Sequence, residues 1–322
     1  MKRFVIASLF TGMSLIALII GISCSSQTPN AALTAPVQTI SVNNPTYTST
    51  CTNTPTQTAT PTPQFPVTGF NGPYALAIDS KNNIYVGDTG NNLIKQYVNG
   101  FLTTTWPFGK VKSTGLAYTS PKAIAADSLG NIYVVGSGRT VSKYDASGNP
   151  VMTYTASMSA TLSGVVVNNA GTTLYVSDAG VNQIVSIALP AGGLNTGFGT
   201  LGKLTTAYAP SGLAVDSTGN LYVAGNDSNV HIYNYLGSNG SPVSILPGFS
   251  TPYAVALDAS NNLFVSDTGN GQIEEFLVGG FKAAPSNIIG KGTLSTPEGI
   301  ALDSSANVYV VDSSTGNLYQ FP

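Results

Sequence analysis

The stretch Pro252-Tyr253-Ala254-Val255-Ala256-Leu257-Asp258-Ala259-Ser260-Asn261-Asn262-Leu263-Phe264-Val265-Ser266-Asp267 decides the fold. It reads as two short apolar strands, rich in β-branched and aromatic residues, joined by a polar turn. The first strand is apolar at consecutive positions, so both of its faces are expected to be covered.

Moving outward, the same pattern recurs. Pro73 to Asp79 is followed by Asn83-Ile84-Tyr85-Val86, and Pro121 to Asp127 by Asn131-Ile132-Tyr133-Val134. Pro210 to Asp216 leads to Asn220-Leu221-Tyr222-Val223, and Pro297 to Asp303 to Asn307-Val308-Tyr309-Val310. A degenerate copy, Leu162 to Asn168 with Leu174-Tyr175-Val176, fills the remaining gap. Asp79, Asp127, Asn168, Asp216, Asp258 and Asp303 mark six units at intervals of 48, 41, 48, 42 and 45 residues. A period of about 40 to 50 residues is the signature of propeller blades. Immunoglobulin-like sandwiches need about 100 residues per unit, and no helical period is visible. The expected fold is all-β, a six-bladed β-propeller with four-stranded blades. After Asp312 the sixth unit holds one more strand, Asn317 to Phe321, so residues Gln64 to Phe70 are expected to supply its fourth strand and remove an open edge.

The recurring Pro-x-[Gly/Ala]-φ-Ala-φ-Asp…Asn-φ-[Tyr/Phe]-Val-x-Asp, φ apolar, resembles NHL repeats over Pro73 to Phe321, within the NHL/TolB-like propellers. The resemblance implies that the residue after each repeat's Pro lies near the central channel. Those positions hold Tyr74, Lys122, Ser163, Ser211, Tyr253 and Glu298. Their neighbours in the repeat stay nearly constant, whereas these six differ in size and charge. Such a ring reads as a candidate binding face, beside the plainer reading that unconstrained surface positions drift.

Three segments are expected: 1–23 an export signal, 24–63 a tether and 64–322 the propeller. Lys2-Arg3, the apolar run Phe4 to Ile22 and Ser23-Cys24 have the layout of a cleaved leader. Ile20-Gly21-Ile22-Ser23-Cys24 resembles a bacterial lipobox, departing from it at Gly21, and this implies acylation at Cys24 and anchoring in the envelope, with Ser25 leaning towards the outer membrane. An uncleaved membrane anchor and ordinary secretion are the alternatives. From Thr28 to Pro66 the Thr/Pro-rich sequence has no apolar periodicity and cannot build a core. Cys51 sits inside it with no further cysteine beyond Cys24.

Charged residues are 8% of the chain and the net charge is −2, with no basic cluster, so a nucleic-acid partner is not expected. Asp88-Thr89-Gly90, Asp178-Ala179-Gly180 and Asp267-Thr268-Gly269 invite a calcium-loop reading. No closing Glu completes such a loop, and structural turns are expected. The single histidine, His231, reads as surface or packing on an outer strand, and Glu274 and Glu275 as third-strand residues away from the axis. No Gly-x-Ser-x-Gly elbow is present. No metal or cofactor is assigned. The leading expectation is an envelope-anchored, non-catalytic propeller that binds a protein, peptide or glycan. The alternative is a calcium- or other metal-dependent lactonase, hydrolase or lyase with Glu298 in the channel.

Overall fold

A computed structural model of the protein describes residues 6–11, 14–19, 65–98, 101–107, 119–155, 158, 161–234, 241–279 and 284–322. The chain divides into two compact units, Met1–Thr60 and Pro61–Pro322. In the first, Ile6–Thr11 pairs antiparallel with Ser14–Ile19, from Ile6 opposite Ile19 to Thr11 opposite Ser14. Cys24, the tether and Cys51 lie outside the described residues. Among the described residues no helix is long and apolar enough to cross a membrane.

The second unit is a six-bladed propeller of antiparallel sheets. The innermost strands are Pro73–Ile78, Thr119–Ala126, Leu162–Val167, Pro210–Val215, Pro252–Leu257 and Pro297–Leu302, one to each of blades 1 to 6. Blades 1 to 5 carry four strands in sequence order and blade 6 carries three.

Each blade is organised by its repeat motif. Asp79 Oδ1 accepts from the backbone N–H groups of Lys81 and Asn83, both at 2.9 Å. Its Oδ2 accepts from Asn83 Nδ2 at 2.8 Å and from the buried Tyr85 hydroxyl at 3.0 Å. One carboxylate therefore shapes the turn and ties it to the second strand, as Asx residues do. Asp127, Asp216 and Asp303 repeat the whole set. Blade 5 keeps the turn at Asp258 but has Phe264 in place of the tyrosine. In the degenerate blade 3, Asn168 Oδ1 accepts from Thr172 and Thr173 N–H.

The most buried strands are the second ones: Ile84–Asp88, Thr173–Asp178, Leu221–Gly225, Leu263–Asp267 and Val308–Asp312 are buried at every position. The innermost strands, expected to be covered on both faces, are interrupted by half-buried positions, as in Pro252–Leu257. Strands that border a channel lack a second neighbour on that side.

Six apolar clusters fill the six seams between blades. Between blades 1 and 2, Tyr85 and Ile94 meet Ile124 and Ile132. The ring closes through the last seam, where Leu76 and Val86 of blade 1 pack with Val311 and Leu318 of blade 6 and with Phe70. Burying a side chain of this size contributes roughly 1.5–3 kcal/mol. At the outer edge of blade 6, Val67 N–H donates to Leu318 O at 2.9 Å and Leu318 N–H to Val67 O at 2.8 Å. This is an isolated bridge rather than the full fourth strand expected from Gln64 to Phe70, and Gln64 lies outside the described residues. The preceding Phe65–Pro66 bond is cis.

The Asp-x-Gly sequences are turns. Asp88, completely buried, accepts from Asn71 N–H at 2.7 Å, from Asn91 Nδ2 at 2.9 Å and from Lys95 Nζ at 2.8 Å. Asp267 accepts from Ser250 N–H and Asn270 Nδ2, both at 2.6 Å. These carboxylates fix the chain entering each blade from the one before.

Candidate functional site

All six innermost strands carry a register irregularity near their start. It falls between Pro73 and Ala75, Thr119 and Ala123, Leu162 and Gly164, Pro210 and Leu213, Pro252 and Val255, and Pro297 and Ile300. Tyr74, Lys122, Ser163, Ser211, Tyr253 and Glu298 each lie within one of these intervals. A β-bulge releases a residue from the ladder and re-aims its side chain. The repeat thus delivers two tyrosines, two serines, a lysine and a glutamate to corresponding positions around the ring.

The position after each of them is Ala or Gly because adjacent innermost strands almost touch there. A Cβ on Gly299 would stand 2.8 Å from Tyr74 O and 2.9 Å from Leu76 N, and one on Gly212 would stand 2.5 Å from Ala254 Cα. Inside this ring runs a channel cavity of about 310 Å³. Tyr74, Lys122, Ser163 and Tyr253 are among its lining residues, with Leu76 and Ile124 in its wall. Ser211 and Glu298 are not among them, although the adjoining Gly212 and Gly299 are.

The six side chains separate by what they touch. Ser163 Oγ donates to Pro210 O at 2.7 Å, and Ser211 Oγ to Pro252 O at 3.3 Å and Ala224 O at 3.1 Å. Both serines therefore tie one blade to the next, and their hydroxyl protons are already engaged. Thr89 and Thr268 do the same from the ends of second strands, donating to Pro121 O at 2.6 Å and Pro297 O at 2.5 Å.

Tyr74 and Tyr253 lie with ring centroids 5.8 Å apart, tilted by 58°. Glu298 belongs to blade 6, between their blades, and is buried at 7% exposure. Its Oε1 accepts from Ser313 Oγ at 3.3 Å, while Oε2 is buried without a hydrogen-bond partner. Burial, with a smaller contribution from the Asp312 charge behind it, pushes the Glu298 carboxyl up to about 8 against the stabilising Ser313 bond. Burial and the nearby Glu298 charge also push the Tyr253 hydroxyl up.

Sequence reasoning missed Ser313, yet a signal existed. The residue following the Asp that ends the second strand is a hydroxyl in Thr89, Thr268 and Ser313, and all three use it at the blade's inner edge.

His231 is in a different place. It is buried on the third strand of blade 4, Asn229–Tyr233. Its ring stacks on Tyr208 at 3.9 Å, and its Nε2 lies 3.0 Å from Asp227 Oδ2. Desolvation lowers its pKa, although Asp227 pulls the other way. It packs a seam and is not among the channel-lining residues. Glu274 is on the third strand of blade 5, where it accepts from Gln272 Nε2 at 2.8 Å.

The donors at Glu298 do not fit the divalent cation that a metal-dependent propeller enzyme requires. Calcium takes six to eight oxygens, whereas the carboxylate behind Glu298, Asp312, is committed to the N–H groups of Ser295, Thr296, Ser314 and Thr315. Among the described residues no three His, Cys, Asp or Glu side chains converge.

The NHL repeat family matches residues 70–97, and a family described as Beta-propeller repeat matches residues 108–138. No curated protein matches the sequence. Among solved structures, hydrazine synthase of Kuenenia stuttgartiensis is similar at 13% identity, over 79% of this chain and 96% of that one, with a TM-score of 0.57. A streptogramin B lyase structure is similar at 13% identity, over 78% and 94%, with a TM-score of 0.55. At such identity the likeness is one of fold. The chain is a six-bladed β-propeller whose residues 70–97 match the NHL repeat.

Proposed function

We propose that the protein is an exported, lipid-anchored binding propeller, held to the cell envelope through Cys24 and presenting the bulged mouth of its channel to a protein, peptide or glycan. The observation that carries this reading is the common bulge. The same irregularity recurs in six innermost strands, and the side chains it re-aims are the positions at which the repeats diverge. Tyr74, Lys122, Tyr253 and Glu298 combine aromatic area, a cation and a buried acid, while Ser163 and Ser211 hold the ring together. Aromatic and cationic anchors in a concave, mostly apolar setting are what recognition sites use.

Export and anchoring rest on Lys2-Arg3, the apolar run to Ile22 and the lipobox-like approach to Cys24. The metal-dependent lactonase or lyase reading has the raised Glu298 carboxyl in its favour, since perturbed acids mark reacting centres. The donor set around Glu298 weighs against it, and His231 stands in a seam. Peptide and glycan arrays probed with the full-length chain test the proposal. Ligands selected by the native chain should be lost at least tenfold in a Tyr74→Ala/Lys122→Glu variant and kept in Leu201→Asp, which alters a 69% exposed loop residue. Hits that ignore the mouth variant would overturn it.

A further inference from the structure

We propose that Glu298, together with the Tyr74–Tyr253 ring pair, forms a subsite for an organic ammonium group, such as a primary amine on the bound partner. The inference rests on the binding reading above and names the chemistry that its mouth selects.

Three observations carry it. Glu298 is buried and one of its oxygens has no hydrogen-bond partner. A buried polar atom left unpaired is destabilising and calls for an explanation. Two tyrosine rings from blades 1 and 5 meet across the blade that carries this acid, and an aromatic face is a favourable neighbour for an alkylammonium ion. The acid's hydrogen-bond partner, Ser313, is a neutral donor, and among the described residues no cationic side chain pairs with the carboxyl. An incoming N–H⁺ group would give Oε2 its missing donor and supply a counter-charge, with the two phenol rings around its methylene carbons. A carboxylate ligand would repel the ionised acid, and a neutral alcohol has no charge with which to favour ionisation of Glu298 over its protonated form.

Among the described residues, the groups that act on Glu298 are Ser313 and Asp312, with Tyr253 close enough to feel its charge and Tyr74 in ring contact with Tyr253. None of them is a cation. With the carboxyl held up to about 8, an ammonium ion must displace its proton at neutral pH. Binding and proton release are therefore linked, and a role confined to packing would not produce that link.

The probe is butylammonium, with butanol and butyrate as neutral and anionic controls, added to the full-length chain in detergent. The ring resonances of Tyr74 and Tyr253 are followed by NMR, and heats are measured in two buffers of different ionisation enthalpy. The expected result is that butylammonium alone shifts both rings and releases close to one proton near pH 6.5. Its affinity should tighten by up to roughly a hundredfold from pH 6 to pH 9, the span set by an acid near 8. In Glu298→Gln that pH slope should vanish. If the variant fails to fold, the proton release of the native chain decides alone. Binding without proton release would overturn the proposal. So would ring shifts with butyrate or butanol but not with the amine, which would leave a binding mouth of another chemistry. Silence from all three probes also overturns the ammonium subsite, while the arrays judge the binding reading separately through Tyr74→Ala/Lys122→Glu.

Discussion

The rings of Tyr74 and Tyr253 meet at 5.8 Å although their strands belong to blades 1 and 5. Blade 6 stands between those blades, its innermost strand contacting both neighbours. The acid that blade 6 contributes, Glu298, is buried, with 7% of its surface exposed.

That seclusion predicts a pH dependence of stability. The folded carboxyl stands near 8 against an ordinary value of 4.5, so between these values the folded state keeps a proton that the unfolded state has lost. Stability from this group is complete below about pH 4.5 and is lost as pH rises through 8. At about 1.4 kcal/mol per pH unit the loss amounts to a few kcal/mol at most. Glu298→Gln should be less sensitive to pH in denaturant melts from pH 5 to 8.5. Glu274, also raised by burial, contributes equally to both proteins, so the difference between them isolates Glu298. Parallel profiles would contradict the burial described.

The repeat aspartates should not be equivalent. Asp79→Ala removes four accepted hydrogen bonds, among them the one the buried Tyr85 hydroxyl donates, for an expected cost of ~2–4 kcal/mol. The same change at Asp145 removes three bonds on a solvent-facing turn and should cost under about 1 kcal/mol. Equal losses in thermal melts would argue against the motif as a tie between turn and second strand.

Much of the fold was legible because the Asp-x-x-x-Asn-x-Tyr unit is local: turn, strand and carboxylate lie within seven residues, and the pattern repeats around the ring. The six channel-side positions were singled out through the resemblance to NHL repeats, whereas the bulges that hold them were not anticipated. What each side chain does there was not legible either. Ser163 and Ser211 bond to the carbonyl of the following blade, and Tyr74 reaches a ring two blades away, contacts fixed by ring curvature rather than by sequence neighbours. His231 lies on the third strand of its blade yet is buried, because strands away from the axis are still pressed between blades.

The seam between blades 6 and 1 offers a test of closure. Phe70 is buried in that seam, with its ring 6.2 Å from Tyr97 and under Lys95 Nζ at 4.4 Å. Phe70→Ala should cost ~3–5 kcal/mol and lower the melting temperature by roughly 10 °C. Removing residues 65–70, which also deletes the Val67–Leu318 bridge, should cost more. An unchanged melt for the deletion would mean that the ring closes without this segment.

Anchoring is tested by metabolic labelling with an alkyne palmitate in a bacterial host. The native chain should incorporate label and partition with membranes, and Cys24→Ser should lose both. Labelling that persists in Cys24→Ser would point to another attachment, and its absence in the native chain would remove the lipid anchor.

The central claim, that the bulged mouth is the binding face, is tested most directly by hydrogen–deuterium exchange of the full-length chain with and without an array-selected ligand. Protection is predicted at the starts of the innermost strands, in Pro73–Leu76, Pro121–Ile124, Pro252–Val255 and Pro297–Ile300, with the outer strands unchanged. Protection confined to outer strands such as Pro150–Tyr154 or Ser244–Pro247, with the four inner segments unaltered, would contradict it.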